Sequence, residues 1–377
     1  MVRKKQLLRL GFDSGASSIK CLASGNDSIE AITIPPAIVQ KHSQALDGYR
    51  CHIGTDLAHR SFVGFNGNYF AVGELAVQLG GFQSIKPLKS ETIVPKILAA
   101  VSIAAQRLDL GTRFDLQLGC LLPPGEFRDR DRLRQELESA LSDFDTPIGV
   151  TNVRLLRSDF YPEGMGVAQL LKIGNRQSLG IGVVLMAGHR NLSIFTTESH
   201  EILSMLTCDL GFHQWVRSVR TQTYDYNVFK LSAAIANYWC DRDPKHLAAV
   251  LRNSTASLRL TELEKIVEVI ERTHDDYCKS IFDWLDENLP DKIDELLIAG
   301  GVASVLQADL VKYAKTKLTP HVSYQDSCAI FDSSVFDLPC LDVPDGYQSR
   351  MADVYCLWKY LMPELVKKPK IEPKLVN

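Results

Sequence analysis

The residues best suited to hold a phosphate lie between Leu8 and Leu22, in LRLGFDSGASSIKCL. An apolar run ends at Asp13-Ser14-Gly15, small residues follow at Ala16 to Ser18, and alternation resumes in Ile19-Lys20-Cys21-Leu22. That pattern predicts a β-hairpin whose turn is stripped of bulk. Gly15 has no Cβ to keep a ligand away, and the N–H groups and hydroxyls of Ser14, Ser17 and Ser18 can point into the turn. Lys20 brings a cation one strand away. Asp13 suits a hydrated Mg²⁺, which keeps its waters and takes one or two carboxylates. An ordinary surface hairpin has the same composition, so the motif alone assigns no ligand.

Two later stretches offer related chemistry. Glu163 sits in SDFYPEGMG, a Pro/Gly-framed corner between a predicted strand at Val150–Leu156 and a helix starting over Val167–Leu171. An acid there can orient water in a cleft, or simply favour the helix N-terminus electrostatically. Glu295–Ala299 reads as a buried strand running into Gly300-Gly301 and a helix over about Val305–Leu318. Those glycines let a base or sugar approach free N–H groups, and they equally suit a plain strand-to-helix turn.

Leu179–Phe195, LGIGVVLMAGHRNLSIF, predicts a further hairpin. Setting Gly188 on Gly15 aligns it with the first, with Met186 opposite Asp13 and Arg190 opposite Ser17, which suggests an internal duplication whose second copy has lost the acid.

The surrounding elements must position these turns. A chain of 377 residues predicts two domains. With 45% hydrophobic and 23% charged residues it reads as a soluble globular protein. No apolar run reaches the roughly 20 residues of a membrane span, and the basic start MVRKK is followed by too short an apolar segment for a signal peptide. A cytoplasmic location is expected. The 9 cysteines are scattered, with no CxxC and no Cys/His cluster at zinc spacing, so a structural metal is not expected. A net charge of −3 gives no global pull towards nucleic acid.

Further strands are predicted at Ile29–Ile34 and at Phe114–Leu122, with a hairpin turning at Asn66-Gly67. Helices are predicted at Thr92–Leu108, Arg128–Leu141, Phe212–Val219, Leu231–Trp239 and Met351–Leu361. The longest runs from about Thr261, with a capping box to Glu264, to Leu289 before Pro290. The tail Lys367–Asn377 is basic and proline-broken, and is expected to be disordered.

Taken in order, these segments resemble the actin/Hsp70/sugar-kinase superfamily, and more closely the ParM-like bacterial and archaeal actin homologues. The resemblance rests on GFDSGASSIK at 11–20, YFAVGELA at 69–76, LLPPGEF at 121–127, YPEGMGVA at 161–168, CDLG at 208–211, LLIAGGVA at 296–303 and DGYQSRMADVYCLWKYL at 345–361. It implies an α/β actin-like fold of two similar domains, each a mixed five-stranded sheet flanked by helices, with a nucleotide cleft between them. Domain I would span 1–170, with a small insert at about 35–90 and the C-terminal helix, about 350–366, packing back on it. Domain II would span 171–349.

The resemblance further implies ATP or GTP with Mg²⁺. Asp13 would lie near the hydrated metal, and Ser14, Gly15, Ser17 and Lys20 would hold the β-phosphate region. Glu163 would position water, making it and Asp13 the catalytic pair, and Gly300 and Gly301 would line adenosine. Family members carry an acid and small residues in the second phosphate loop, where this chain has Met186, His189, Arg190 and Asn191; by the resemblance Gly188 and Arg190 would belong to the nucleotide-binding residues. Three outcomes are open: phosphate binding compensated by Arg190 or His189, a nucleotide switch with little turnover, or an empty cleft. The implied function is a self-assembling filament acting in plasmid or DNA segregation through a DNA-binding adaptor, or as a cytoskeletal polymer. A small-molecule kinase of the same superfold is the alternative, with Glu163 as its only candidate base.

Overall fold

The computed structural model describes residues 6–50, 56–81, 88–168, 180–198, 201–318, 328–330 and 348–361. These fall into two compact units, one of residues 6–168 with 348–361, the other of residues 180–318 with 328–330. The tail after Lys367 lies outside the described residues.

In the first unit, β1 (Leu7–Ser14), β2 (Ile19–Gly25) and β3 (Ser28–Ile34) form an antiparallel meander. β7 (Arg113–Leu122) joins parallel to β1, and β9 (Gly149–Pro162) parallel to β7. Parallel neighbours need a crossover, and the 19-residue helix α2 (Lys89–Arg107) lies in the connection to β7. Its apolar residues fill the core against Leu8, Leu10, Phe12, Leu116 and Leu118. A charged helix, α3 (Arg130–Ser142), turns only Leu133, Leu137, Ala140 and Leu141 inward.

The expected five-stranded sheet is present as β3-β2-β1-β7-β9, but it does not stop there. β9 runs 14 residues, past the predicted end at Leu156, because a bulge at that point breaks the alternation. Leu155 pairs with Leu116 and Arg157 with Gln117, so Leu156 is left over and half exposed. The first residues of β9 also pair with β8 (Phe144–Thr146). Through β8 the sheet continues to β5 (Phe62–Phe65), β6 (Asn68–Val72) and β4 (Ile38–Lys41), making nine strands. The β5–β6 turn has Asn66 and Gly67 at φ 49° and 74°, the left-handed pair that a tight hairpin requires. A short helix, α1 (Glu74–Gln78), follows β6.

The last described helix, α8 (Gln348–Tyr360), closes this unit. Gly11 and Gly119 are paired across β1 and β7, and a Cβ on either would come within 2.9 Å of Trp358 or Leu357. Two adjacent missing side chains thus make the notch in which α8 lies. Trp358 is buried there and donates its indole N–H to Ser24 Oγ at 3.3 Å.

The second unit repeats the strand order in miniature. β10 (Ile181–Ala187), β11 (Leu192–Glu198) and β12 (Glu201–Cys208) are antiparallel, and β13 (Glu295–Ala299) and β14 (Cys328–Ile330) add parallel to β10 in turn. The order β12-β11-β10-β13-β14 matches β3-β2-β1-β7-β9 in both sequence and sense. Among the described residues this unit has the helices α4 (Phe212–Gln222), α5 (Val228–Asp241), α6 (Ala256–Asn288) and α7 (Gln307–Lys317).

Two sequence expectations are corrected here. α6 begins at Ala256, so Thr261 is interior and donates its hydroxyl to Ser257 O instead of capping. The acid that organises the approach is the buried Glu262, whose carboxylate accepts from Arg252 N, Asn253 N and Tyr226 Oη and is held down to about 2. α7 begins at Gln307, two residues after the expected start, behind a turn over 301–306.

Candidate functional site

The β1–β2 register sets Asp13 directly opposite Lys20, so both side chains leave the same face of the hairpin. Lys20 Nζ lies 2.5 Å from Asp13 Oδ2 and donates a second bond to Arg350 O at 3.2 Å, tying the hairpin to the start of α8. The other Asp13 oxygen accepts from Lys89 Nζ at 3.2 Å. Lys89 is the first residue of α2, and its ammonium also pairs with Glu163 Oε1. Glu163 sits just past the end of β9, where its N–H donates to Leu122 O at 2.8 Å.

Around that corner the Asp353 carboxylate of α8 accepts from Gly164 N at 2.5 Å and Val167 N at 3.2 Å, capping the helical turn at 165–168. Gly164 has φ 91° and Gly166 has no room for a Cβ beside Asp353, which explains the glycines framing the corner. Asp13, Lys20, Lys89, Glu163 and Asp353 therefore converge from four segments of one unit.

The electrostatics follow from burial. Desolvation alone would raise the Asp13 carboxyl, but the Lys20 and Lys89 ammonium groups outweigh it and bring it to about 2. Burial works to discharge Lys89, yet Asp13 and Glu163 hold it above the ordinary lysine range. Asp353 makes no ion pair among the described residues: burial, with some repulsion from Asp13 and Glu163, pushes it up to about 7.

Other expected phosphate ligands divide. Ser14 Oγ is buried and has no hydrogen-bond partner among the described residues, so a donor or acceptor at the turn goes unused there. Ser17 is exposed. Ser18 is spent inside the hairpin, its hydroxyl within reach of Ile19 O at 3.1 Å and Ile34 O at 3.4 Å. At Gly15 a Cβ would stand 2.7 Å from Ser18 O, so the turn itself demands glycine. The donors Lys20, Lys89 and Ser14 fit an anion. A Mg²⁺ held through Asp13 does not fit while Lys89 stands between Asp13 and Glu163, because a positive charge is already there.

The second hairpin is built alike and wired differently. Gly188 N donates to Asn191 O at 3.0 Å, and a Cβ on Gly188 would come 2.8 Å from that oxygen, mirroring Gly15 and Ser18. Met186 faces Ser193 where Asp13 faces Lys20, and Ser193 Oγ is bonded to Thr207 Oγ1 at 2.9 Å. The turn's carbonyls are aimed at the N-terminus of α4: Gly188 O accepts from Phe212 N, His189 O from His213 N and Arg190 O from Gly211 N. Those helix N–H groups, the natural anion donors of such a corner, are already satisfied by the protein. Gly300, at φ 103°, lies so close to Ala187 that a Cβ would overlap it, so strand packing accounts for it without a ligand.

Lys89 and Asp353 are the site residues that sequence reading missed. Lys89 gives no signal in LKSE. Asp353 does: it is an acid three and four residues before the apolar Cys356 and Leu357, and so shares their side of a largely apolar helix.

No protein-family model and no curated protein matches the chain. Solved structures do. The actin-like protein Alp7A is 16% identical, with TM-score 0.63 over 96% of this chain and 98% of its own. The subunit of a 15-stranded ParM filament from Clostridium botulinum is 15% identical, with TM-score 0.61 over 94% and 99%. Ta0583, an archaeal actin homologue solved in complex with ADP, is 16% identical, with TM-score 0.58 over 94% and 99%. The fold is that of the ParM-like actin homologues. Among the described residues no helix is long and apolar enough to cross a membrane.

Proposed function

We propose that this chain, with its actin-like fold, is a nucleotide-responsive subunit of a self-assembling filament, and that the β1–β2 turn of its first unit holds the nucleotide phosphates. The carrying observation is the largely enclosed Asp13–Lys20–Lys89–Glu163 cluster beside the Ser14 hydroxyl, which has no hydrogen-bond partner among the described residues. Filament formation is supported by the likeness to a ParM filament subunit, and nucleotide binding by the likeness to an ADP complex.

In this reading Lys20 meets the β-phosphate region and stays anchored by Asp13. Lys89 is the movable charge. With no phosphate it neutralises Asp13 and Glu163; an arriving phosphate competes for it, since a charge-assisted bond to phosphate is at least as favourable as one to a carboxylate. Glu163 is then released as a free carboxylate able to orient water, while Asp13 keeps its pair with Lys20. Lys89 thus links phosphate binding to the appearance of the catalytic acid. A role in plasmid or DNA segregation through an adaptor, or as a cytoplasmic cytoskeletal polymer, is the biological use that this assembly would serve.

The test is pelleting with negative-stain electron microscopy of the full chain in ATP–Mg²⁺, GTP–Mg²⁺, ATP with chelator, and no nucleotide. Filaments that require nucleotide support the reading. Filaments in every condition would leave the polymer and remove the switch, and particles that stay small throughout would overturn self-assembly.

A further inference from the structure

Far along the chain from the phosphate turn, three metal-ligating side chains meet in the second unit. His274 and Cys278 are four residues apart on α6 and so share one helical face. Asp309 reaches them from the first turn of α7. His274 Nε2 lies 3.1 Å from Asp309 Oδ2 and 3.2 Å from Cys278 Sγ, and the three atoms are all within 4.8 Å of one another. His274 and Cys278 are each 6% exposed, whereas the Asp309 side chain remains 29% exposed.

A neutral His274 ring has one proton to share among the polar atoms around it. The other ring nitrogen, Nδ1, lies 3.2 Å from Asp275 Oδ1, and a carboxylate at that place favours the proton on Nδ1. Nε2 is then a lone pair. It can accept from the Cys278 thiol, but it faces the lone pairs of Asp309 at hydrogen-bond distance. Moving the proton to Nε2 satisfies Asp309 and leaves Nδ1 bare against Asp275. The Asp275 side chain is 91% exposed and hydrated, whereas Nε2, Sγ and Asp309 Oδ2 converge on one point, where a single divalent cation would take all three as ligands.

We propose that His274, Cys278 and Asp309 form a binding site for a borderline-soft divalent metal ion of the Zn²⁺ class, clasping α6 to α7. The mixed imidazole, thiolate and carboxylate set suits such an ion and not Mg²⁺ or Ca²⁺, which take oxygen ligands. Asp275 supplies the outer carboxylate that commonly orients a ligating histidine. The ring is fixed in addition by Trp239, stacked on His274 with centroids 4.0 Å apart, and by the edge-on Trp215 at 5.2 Å. On binding, the Cys278 thiol gives up its proton to solvent and its sulfur pair to the metal. Water fills the fourth position on the open Asp309 side. No zinc-type spacing was expected from the sequence, because the ligands are split between two helices separated by β13.

The test is titration of the reduced, chelator-treated full chain with Co²⁺ as the probe. The expected result is one equivalent bound with a near-ultraviolet thiolate-to-cobalt charge-transfer band and tetrahedral visible bands, displaced by Zn²⁺. Cys278→Ala abolishes the charge-transfer band, Asp309→Asn weakens binding by at least about 10-fold, and Cys240→Ser, at an exposed cysteine, changes nothing. Asp309→Asn, at a partly exposed residue, keeps the test valid if Cys278→Ala folds poorly. Absence of the band in the parent chain, its survival in Cys278→Ala, its loss in Cys240→Ser, or unchanged affinity in Asp309→Asn would each overturn the proposal. None of these readouts depends on nucleotide or filaments.

Discussion

The hairpins β1–β2 and β10–β11 occupy the same place in two five-strand arrangements of identical order, yet only the first pairs opposite charges across its strands. In the first, Asp13 and Lys20 face each other and draw in Lys89 and Glu163. In the second, the corresponding pair is Met186 and Ser193, and the turn's carbonyls cap α4. Hairpin geometry is set by local rules that both copies still obey, including a glycine that packs against the oxygen three residues on. Chemistry depends on single side chains that drift freely once a turn has found another job. For the second turn, that job is holding a helix.

This contrast can be broken most severely at its glycines. Gly211→Ala would drive a Cβ into the Arg190 backbone, which cannot move without unseating α4, so a loss of about 3 kcal/mol or more is expected in the second unit, read by hydrogen exchange of β10 and β11. Next is Asp13→Ala, which takes the carboxylate from Lys20 and leaves Lys89 with Glu163 alone, among the described residues. A cost of about 3 kcal/mol is expected in denaturant unfolding of the first unit. Met186→Asp should cost about 1–3 kcal/mol in the second unit, for want of a cation. Adding Ser193→Lys should restore part of it, and a coupling near zero in that double-mutant cycle would show that hairpin register alone does not make the pair.

Nucleotide affinity should divide the two copies too. Lys20→Ala is expected to weaken binding by about 10–100-fold, the worth of one charge-assisted bond, and Arg190→Ala by less than about 2-fold, both read by calorimetry. If Arg190→Ala proves the larger effect, the second turn has kept its phosphate role.

A further effect is expected in pH. Asp353 is raised in the folded chain from an ordinary carboxylate value to about 7, so the native state binds more protons than the unfolded chain between about pH 4 and 7. Stability contributed by this group therefore falls as pH rises through that window. Asp13, lowered to about 2, works in the opposite sense, its contribution being present above about pH 4 and lost as pH falls towards 2. Asp353→Asn should flatten the upper slope and leave the lower one, as read by thermal midpoints across pH.

Much of this architecture is legible from the sequence wherever the controlling interaction is local. The strand-turn-strand spacing of LRLGFDSGASSIK fixes which residues oppose, so the Asp13–Lys20 pair follows from the turn alone. β12 is not legible, because EILSMLTC is an edge strand half exposed on both faces and shows no alternation. The true start of α6 is masked by a better-looking capping box five residues inside it. Lys89 lies 76 residues from Asp13 and 74 from Glu163, and only the tertiary fold brings them together. The same is true of the His274, Cys278 and Asp309 trio.

The glycine notch on β1 and β7 also carries a consequence for biosynthesis. The helix that fills it leaves the ribosome after the whole of the second unit. At about 5–20 residues per second the first unit waits on the order of 10–40 s with Leu22, Leu121 and the Gly11–Gly119 groove uncovered. The second unit, whose described strands and helices are contiguous in the chain, can complete itself in that interval. The unit that is translated first is therefore the one that is finished last, and during that wait the open groove is the surface a chaperone would need to cover.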